Sequence, residues 1–173
     1  NLAKKINGEI ISADSMQIYK DMNIGSAKPS VEEMQGIKHY LMDFVSPEVR
    51  YSVADYKEQA ENAIKEILGK GKTPIVVGGT GLYVNSLIYA IEYNKTEFDG
   101  KYREELEKIC EEKGLEYLYE EAIKIDSEAM KTISKNDKKR IMRVIEIFKE
   151  TGKTKTEQEK ESRKEVMYDY HVF

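Results

Sequence analysis

A chain of 173 residues with 40 % apolar and 35 % charged residues can bury a core under a heavily charged surface, and suits one globular domain or a core with one small insertion. No apolar run approaches the roughly 18 residues of a membrane span, and no secretory pattern opens the chain. At a net charge of −4, with one cysteine and two histidines, composition excludes an internal disulfide framework, argues against a classical Cys/His zinc site and indicates a soluble cytoplasmic protein.

In chain order, Asn1-Leu2-Ala3-Lys4-Lys5-Ile6 has the pattern of the last turns of a helix, with Gly8 as its stop. A domain rarely begins at the end of a helix, so the sequence is expected to be a fragment. Glu9-Ile10-Ile11-Ser12-Ala13 follows as a short strand bounded by Gly8 and Asp14, and His39 to Val45 offers another. Ser52 and Asp55 stand at capping-box spacing. Val53, Tyr56, Ala60, Ala63, Ile64, Ile67 and Leu68 then recur at helical intervals until Gly69 and Gly71. Pro74-Ile75-Val76-Val77 is an apolar run too short for a helix and ends in glycines, which predicts a buried parallel strand. A second helix starts near Thr80 and carries Leu82, Tyr83, Ser86 and Leu87. This alternation indicates an α/β parallel sheet built from right-handed crossovers.

From about Glu97 to Ser134 the pattern changes to short charged helices without a strand, a helical insertion (97–134) between two parts of the core, 1–96 and 135–173. The helix beginning at Asn136-Asp137 has Ile141, Val144, Ile145 and Phe148 as its buried stripe. Lys153 to Lys164 suits a mobile connection or a solvated helix, and the alternating Tyr168 to Phe173 predicts that the chain ends inside the sheet. Charge is uneven: Lys95 to Met130 has 6 Lys/Arg against 12 Asp/Glu, and Lys131 to Lys164 has 12 against 6. Two solvated faces of opposite sign fit this, and so does a surface that meets a polyanion with its basic part only.

Ligands of an open parallel sheet gather outside the carboxyl ends of its strands, where Asp14 and Gly78-Gly79-Thr80-Gly81 fall. Asp14, flanked by Ser12 and Ser15, can accept a proton from a substrate; position alone favours a helix cap. The glycine turn offers amides and a hydroxyl for an anion, or merely a tight strand-to-helix turn. Arg140 and Arg143 border the buried stripe of their helix, with Lys139 beyond them. They can clamp phosphates or snorkel to surface carboxylates. His39 reads as a capping or packing residue, Cys110 as inert, and Arg103 as an ordinary surface arginine.

Four segments carry more than these parts do singly. GEIISADSMQIYKDMNIGSAKP from Gly8, YSVADYKEQA from Tyr51, PIVVGGTGLYVNSLI from Pro74 and NDKKRIMRVIEIFKETGK from Asn136 resemble the tRNA dimethylallyltransferases, in order and over nearly the whole chain. The resemblance implies a P-loop-kinase-like α/β core with a helical insertion. It implies transfer of a dimethylallyl group from dimethylallyl diphosphate to the exocyclic amine of the adenosine beside the anticodon of tRNA, assisted by Mg2+. By motif match, Asp14 would be the general base, Asp14-Ser15-Met16-Gln17 would hold the flipped-out base, and Thr80 would contact the RNA near the reacting centre. Arg103 would touch the tRNA, against its local reading, and Lys139, Arg140, Ile141, Met142 and Arg143 would line the tRNA site.

The sequence departs from the family where it matters for the diphosphate. Nothing in it matches G-x-x-x-x-G-K-[ST], so the first strand, the phosphate loop and the expected magnesium ligand are missing, and Ser26 stands where threonine is usual. The polypeptide is therefore expected to be inactive by itself, to contain no metal ligand, and to act as a monomer within a longer enzyme. Three other readings compete: an adenylate isopentenyltransferase acting on free nucleotide, a P-loop nucleoside kinase, and a non-catalytic RNA-binding fragment. Competition between AMP and an anticodon stem-loop, transfer from labelled ATP, and the sequence preceding Asn1 separate them in turn.

Overall fold

In the computed structural model, which describes residues 1–92 and 100–173, the chain forms two units, Asn1–Asn94 with Lys164–Phe173, and Lys95–Arg163. The boundary expected at residues 96 and 97 lies outside the described residues.

The first unit begins with α1 (Leu2–Lys5) and β1 (Gly8–Ser12). Asn7, not Gly8, turns the chain between them, with a left-handed φ of 53° that asparagine tolerates. Gly8 is needed for space: a Cβ there would lie 2.7 Å from Ile75 Cδ1 and 2.9 Å from Thr73 O. Next come α2 (Val31–Met34) and β2 (His39–Tyr40). The strand expected over His39 to Val45 breaks after two residues because Leu41 and Asp43 take positive φ; only Val45 pairs again, beside Tyr19. α3 (Val53–Gly69) starts at the anticipated capping box, with Ser52 Oγ accepting from Asp55 N and Asp55 accepting from Ser52 N. β3 (Thr73–Val77) and α4 (Gly81–Ile88) complete the unit.

The strands are parallel in the order β2–β1–β3, with Ile10 opposite His39 and Ile75. Among the described residues β3 thus lies at the edge of this sheet, and the expectation that it is buried is corrected: Thr73 and Val77 are exposed, Val77 by 54 %. Pro74, which has no N–H to donate, is tolerated in such a position. α3 covers the sheet with Tyr56, Ala60, Ala63, Ile64 and Ile67, which meet Ile11, Ala13, Tyr83 and Leu87. Burying Ile64 and Ile67 contributes roughly 1.5–3 kcal/mol each. Leu82, expected beside Tyr83 and Leu87, is exposed. Tyr168 to Phe173 forms no strand: Tyr168 and Tyr170 pack on this core, edge-on to one another at 6.2 Å, and Val172 and Phe173 face solvent.

The second unit contains α5 (Gly100–Lys113), α6 (Leu115–Ile125), α7 (Ser127–Met130), α8 (Lys138–Thr151) and α9 (Lys155–Glu161). Its core joins Leu106, Leu118, Ala122, Met130, Ile133, Ile141, Met142, Val144 and Ile145. Asp137 caps α8 by accepting from Arg140 N at 3.1 Å, and Gly152, at φ 69°, ends it. The stripe of α8 differs from expectation, because Phe148 is exposed while Met142, Glu146 and Ile147 are buried. α8 and α9 share this unit with α5 and α6, whereas sequence pattern alone ends the helical segment at Ser134. Lys153 to Lys164 contains the solvated helix α9, with Thr154 and Glu157 as its capping box.

Candidate functional site

At the carboxyl end of the sheet, β1 and β3 are fastened together. Ala13 N donates to Val77 O at 2.7 Å and Thr80 N to Ala13 O at 3.0 Å. Gly78 permits the approach, since a Cβ there would fall 2.2 Å from Ala13 O. Thr80 is the N-cap residue of α4, yet its hydroxyl makes no capping bond. Instead Thr80 Oγ1 accepts from Ser15 N at 2.9 Å and donates to Ser15 Oγ at 3.2 Å.

Asp14 lies in the middle of this clasp, half-buried. Its Oδ1 accepts from Met16 N at 2.8 Å and Gln17 N at 3.3 Å, so the carboxylate locks the turn that follows the strand, not a helix. Oδ2 accepts no hydrogen bond among the described residues. Gln17 braces the turn: Oε1 accepts from the buried Ser12 hydroxyl, and Nε2 donates to Ser26 O and Ala27 O. Ser26 in turn donates to Met22 O, a bond that any hydroxyl at this position supplies. Lys28, a residue not singled out from the sequence, anchors the same loop by donating to Tyr19 O and Asp43 Oδ1 at 2.8 and 2.6 Å. Met16 leaves its side chain exposed at the tip. Burial pushes the nearby Tyr83 hydroxyl up to about 12, and the Asp14 charge adds to that shift, so Tyr83 is protonated at neutral pH.

The structure thus brings Asp14, Ser15, Gln17 and Thr80 into one hydrogen-bonded group. The basic residues lie in the helical unit. Lys139 and Arg140 are exposed on α8, and Arg140 pairs with its own cap residue Asp137 at 3.4 Å. Ile141 and Met142 are fully buried and anchor the helix. Arg143 is half-buried, and burial lowers the pKa of its guanidinium. Arg103 on α5 and Arg143 on α8 both address Glu146. Sequence reasoning passed over Glu146, although its place four residues after Met142 puts it on a buried helix face.

Among the described residues no three His, Cys, Asp or Glu side chains converge as a metal site requires. Magnesium keeps several waters and is held by one or two carboxylates together with substrate phosphates, so the single uncommitted oxygen of Asp14 does not by itself make a magnesium site. No helix among the described residues is long and apolar enough to cross a membrane.

Residues 17–173 match the family model described as IPP transferase. The tRNA dimethylallyltransferase of Acetivibrio thermocellus is 54 % identical over 163 residues, which cover 94 % of this chain and 52 % of that protein. That of Bacillus cytotoxicus is 45 % identical over 168 residues, covering 97 % and 53 %. Among solved structures, the tRNA isopentenylpyrophosphate transferase of Bacillus halodurans is 44 % identical with a TM-score of 0.53, covering 88 % of this chain and 50 % of that one. A eukaryotic dimethylallyltransferase, described as acting on tRNA, is 34 % identical with a TM-score of 0.72, covering 97 % and 42 %. The chain spans about half the length of the curated relatives it matches.

Proposed function

Because the chain belongs to the IPP transferase family, we propose that it is part of a tRNA dimethylallyltransferase and supplies the base for alkylation of the adenosine beside the anticodon. The observation that carries this reading is Asp14, whose Oδ1 is committed to its turn while Oδ2 is left for a substrate. An adenine amine is a weak nucleophile because its lone pair is delocalised into the ring. In the reaction a bond forms between that nitrogen and the allylic carbon. The carbon–oxygen bond to diphosphate breaks, its electron pair leaves with the diphosphate, and the amine proton passes to Asp14 Oδ2.

The base must leave its stack to reach Asp14. Asp14 to Gln17 then hold it, with exposed Met16 as an apolar surface and Gln17 as the brace. Thr80 contacts the RNA by exchanging its Ser15 hydroxyl partner for the substrate. Arg103, Lys139, Arg140 and Arg143 meet the phosphates of the anticodon arm, supported by buried Ile141 and Met142. Mg2+ would take its ligands outside these residues. The protein acts in the cytoplasm as a monomer, and residues 1–173 alone are inactive; prenylation of an anticodon stem-loop by them would contradict that.

The test is Asp14→Asn in an enzyme of the relatives' full length. Asparagine keeps the Oδ1 acceptor of the turn and removes the base. Turnover should fall by roughly 10²–10⁴-fold, the usual weight of a general base, while tRNA affinity holds within about two-fold. Turnover near that of the unaltered enzyme would leave Asp14 as a turn lock only.

A further inference from the structure

Residues 13–30, which carry Asp14, form no helix, and among the described residues they pair in strand fashion only at Tyr19. Their backbone is not at ease. Asp21 and Ala27 take left-handed φ of 61° and 50°, and Asp43, which is bonded to this loop, takes 57°. Aspartate eases that conformation with its short polar side chain, whereas alanine does not. The loop therefore needs ties from beyond its local sequence to keep this shape.

Lys28 supplies two of them. Its side chain is only 6 % exposed, and Nζ donates to Tyr19 O at 2.8 Å and to Asp43 Oδ1 at 2.6 Å, an oxygen that also accepts from Asp21 N. Lys28 keeps the half-exposed Asp43 carboxyl below its ordinary pKa, so Asp43 is charged at neutral pH. Asp43 N donates to Gln17 O at 2.9 Å, and Gln17 Nε2 donates at 3.1 Å to the carbonyl of Ala27, the residue before Lys28. These ties close a ring from Gln17 to Lys28, on to Asp43 and back to Gln17. Gln17 N is in turn one of the two donors to Asp14 Oδ1. Burying an ammonium costs desolvation that an apolar side chain of similar length avoids, so packing alone does not account for a lysine here. On the reading that Asp14 is the base, we propose that Lys28, closed on Asp43 and the Tyr19 carbonyl, is a positioning residue that fixes Gln17 and through it aims Asp14 Oδ2 at the substrate.

Lys28→Met in the full-length enzyme keeps the length of the side chain and removes its charge. Turnover number kcat should fall roughly 10²-fold, the cost of misplacing a reacting group by about 1 Å, while KM for tRNA changes by less than about two-fold. A role in stability alone would lower the yield of folded enzyme and leave kcat per folded molecule in place. The decisive measurement is the same substitution in the Asp14→Asn background. Acting through Asp14, Lys28→Met should cost less than about three-fold there, because the base it aims is already gone. An undiminished kcat for Lys28→Met, or an equal loss in both backgrounds, overturns the proposal. Should Lys28→Met fail to fold, Asp43→Gly goes through the same comparison: glycine adopts the left-handed turn freely, and Lys28 loses its partner. Asp14→Asn by itself identifies which idea has failed. If it turns over like the unaltered enzyme, the base is misassigned and the proposal falls with it. If it is slow and Lys28→Met is not, only the role of Lys28 falls.

Discussion

The hydroxyl of Tyr56 is buried against α4 with no hydrogen-bond partner among the described residues, while its ring stacks on Tyr83 at 4.0 Å and 7°. An unsatisfied buried donor costs about 1–3 kcal/mol, whereas the stacked ring needs no oxygen. Tyr56→Phe should therefore raise stability by about 1 kcal/mol, seen in urea unfolding as a higher midpoint at unchanged slope. A lower midpoint would show that the oxygen has a partner after all. At this scale the sequence was most informative where backbone geometry constrains identity. Asp14 and Thr80 were legible because a strand end and a glycine turn fix their places. Glu146 was not, since an acid on a charged helix looks solvated until α5 is packed against it.

Asp126 shows how the short helices of the second unit are joined. Buried, it caps α7 through Ala129 N at 3.0 Å and accepts from both the amide and the hydroxyl of Thr156, each at 2.7 Å. One carboxylate thus fastens α9 to α7. Asp126→Ala should cost roughly 2–4 kcal/mol, a cap plus charge-assisted bonds, and should expose α9 to proteolysis before the rest of its unit. Uniform digestion, or a loss under about 1 kcal/mol, would show that α9 is held otherwise. Elements written in local chemistry were readable: the Ser52–Asp55 capping box, the stop of α3, the start of α8. Those decided by tertiary partners were not. Alternation in Tyr168 to Phe173 is satisfied by aromatic packing without a ladder, and β2 ends where Leu41 takes a φ of 57°.

Across the whole molecule, the sheet end opposite Asp14 is tied by a buried acid. Glu9 accepts from Lys72 at 2.7 Å, from Tyr40 at 2.8 Å and from Lys70 at 3.4 Å. Lys72 foremost, then Tyr40 and Lys70, hold its carboxyl at about 2, below its ordinary 4.5, against the opposing effect of burial. A lowered carboxylate pKa contributes stability that is present above the ordinary value and lost as pH falls through the lowered one. The protein should therefore lose stability between about pH 4.5 and about pH 2, and Glu9→Gln should flatten that slope. Glu66 is lowered by Lys70, Tyr40 and Lys38 in the same range, but it is exposed and screened and should matter less. An unchanged slope in the Glu9 variant would assign acid sensitivity elsewhere. The Ser15–Thr80 clasp, at the other end, joins residues 65 apart in sequence, with α3 and β3 between them. Closing so long a loop precedes any reward from the contact, so the Asp14 carboxylate, the proposed proton acceptor, is not aimed in a partly folded chain. Sheet formation and site assembly are then a single event. A lesion that loosens β3 displaces the Asp14 turn from a distance, and a stabilising change elsewhere in the sheet returns it.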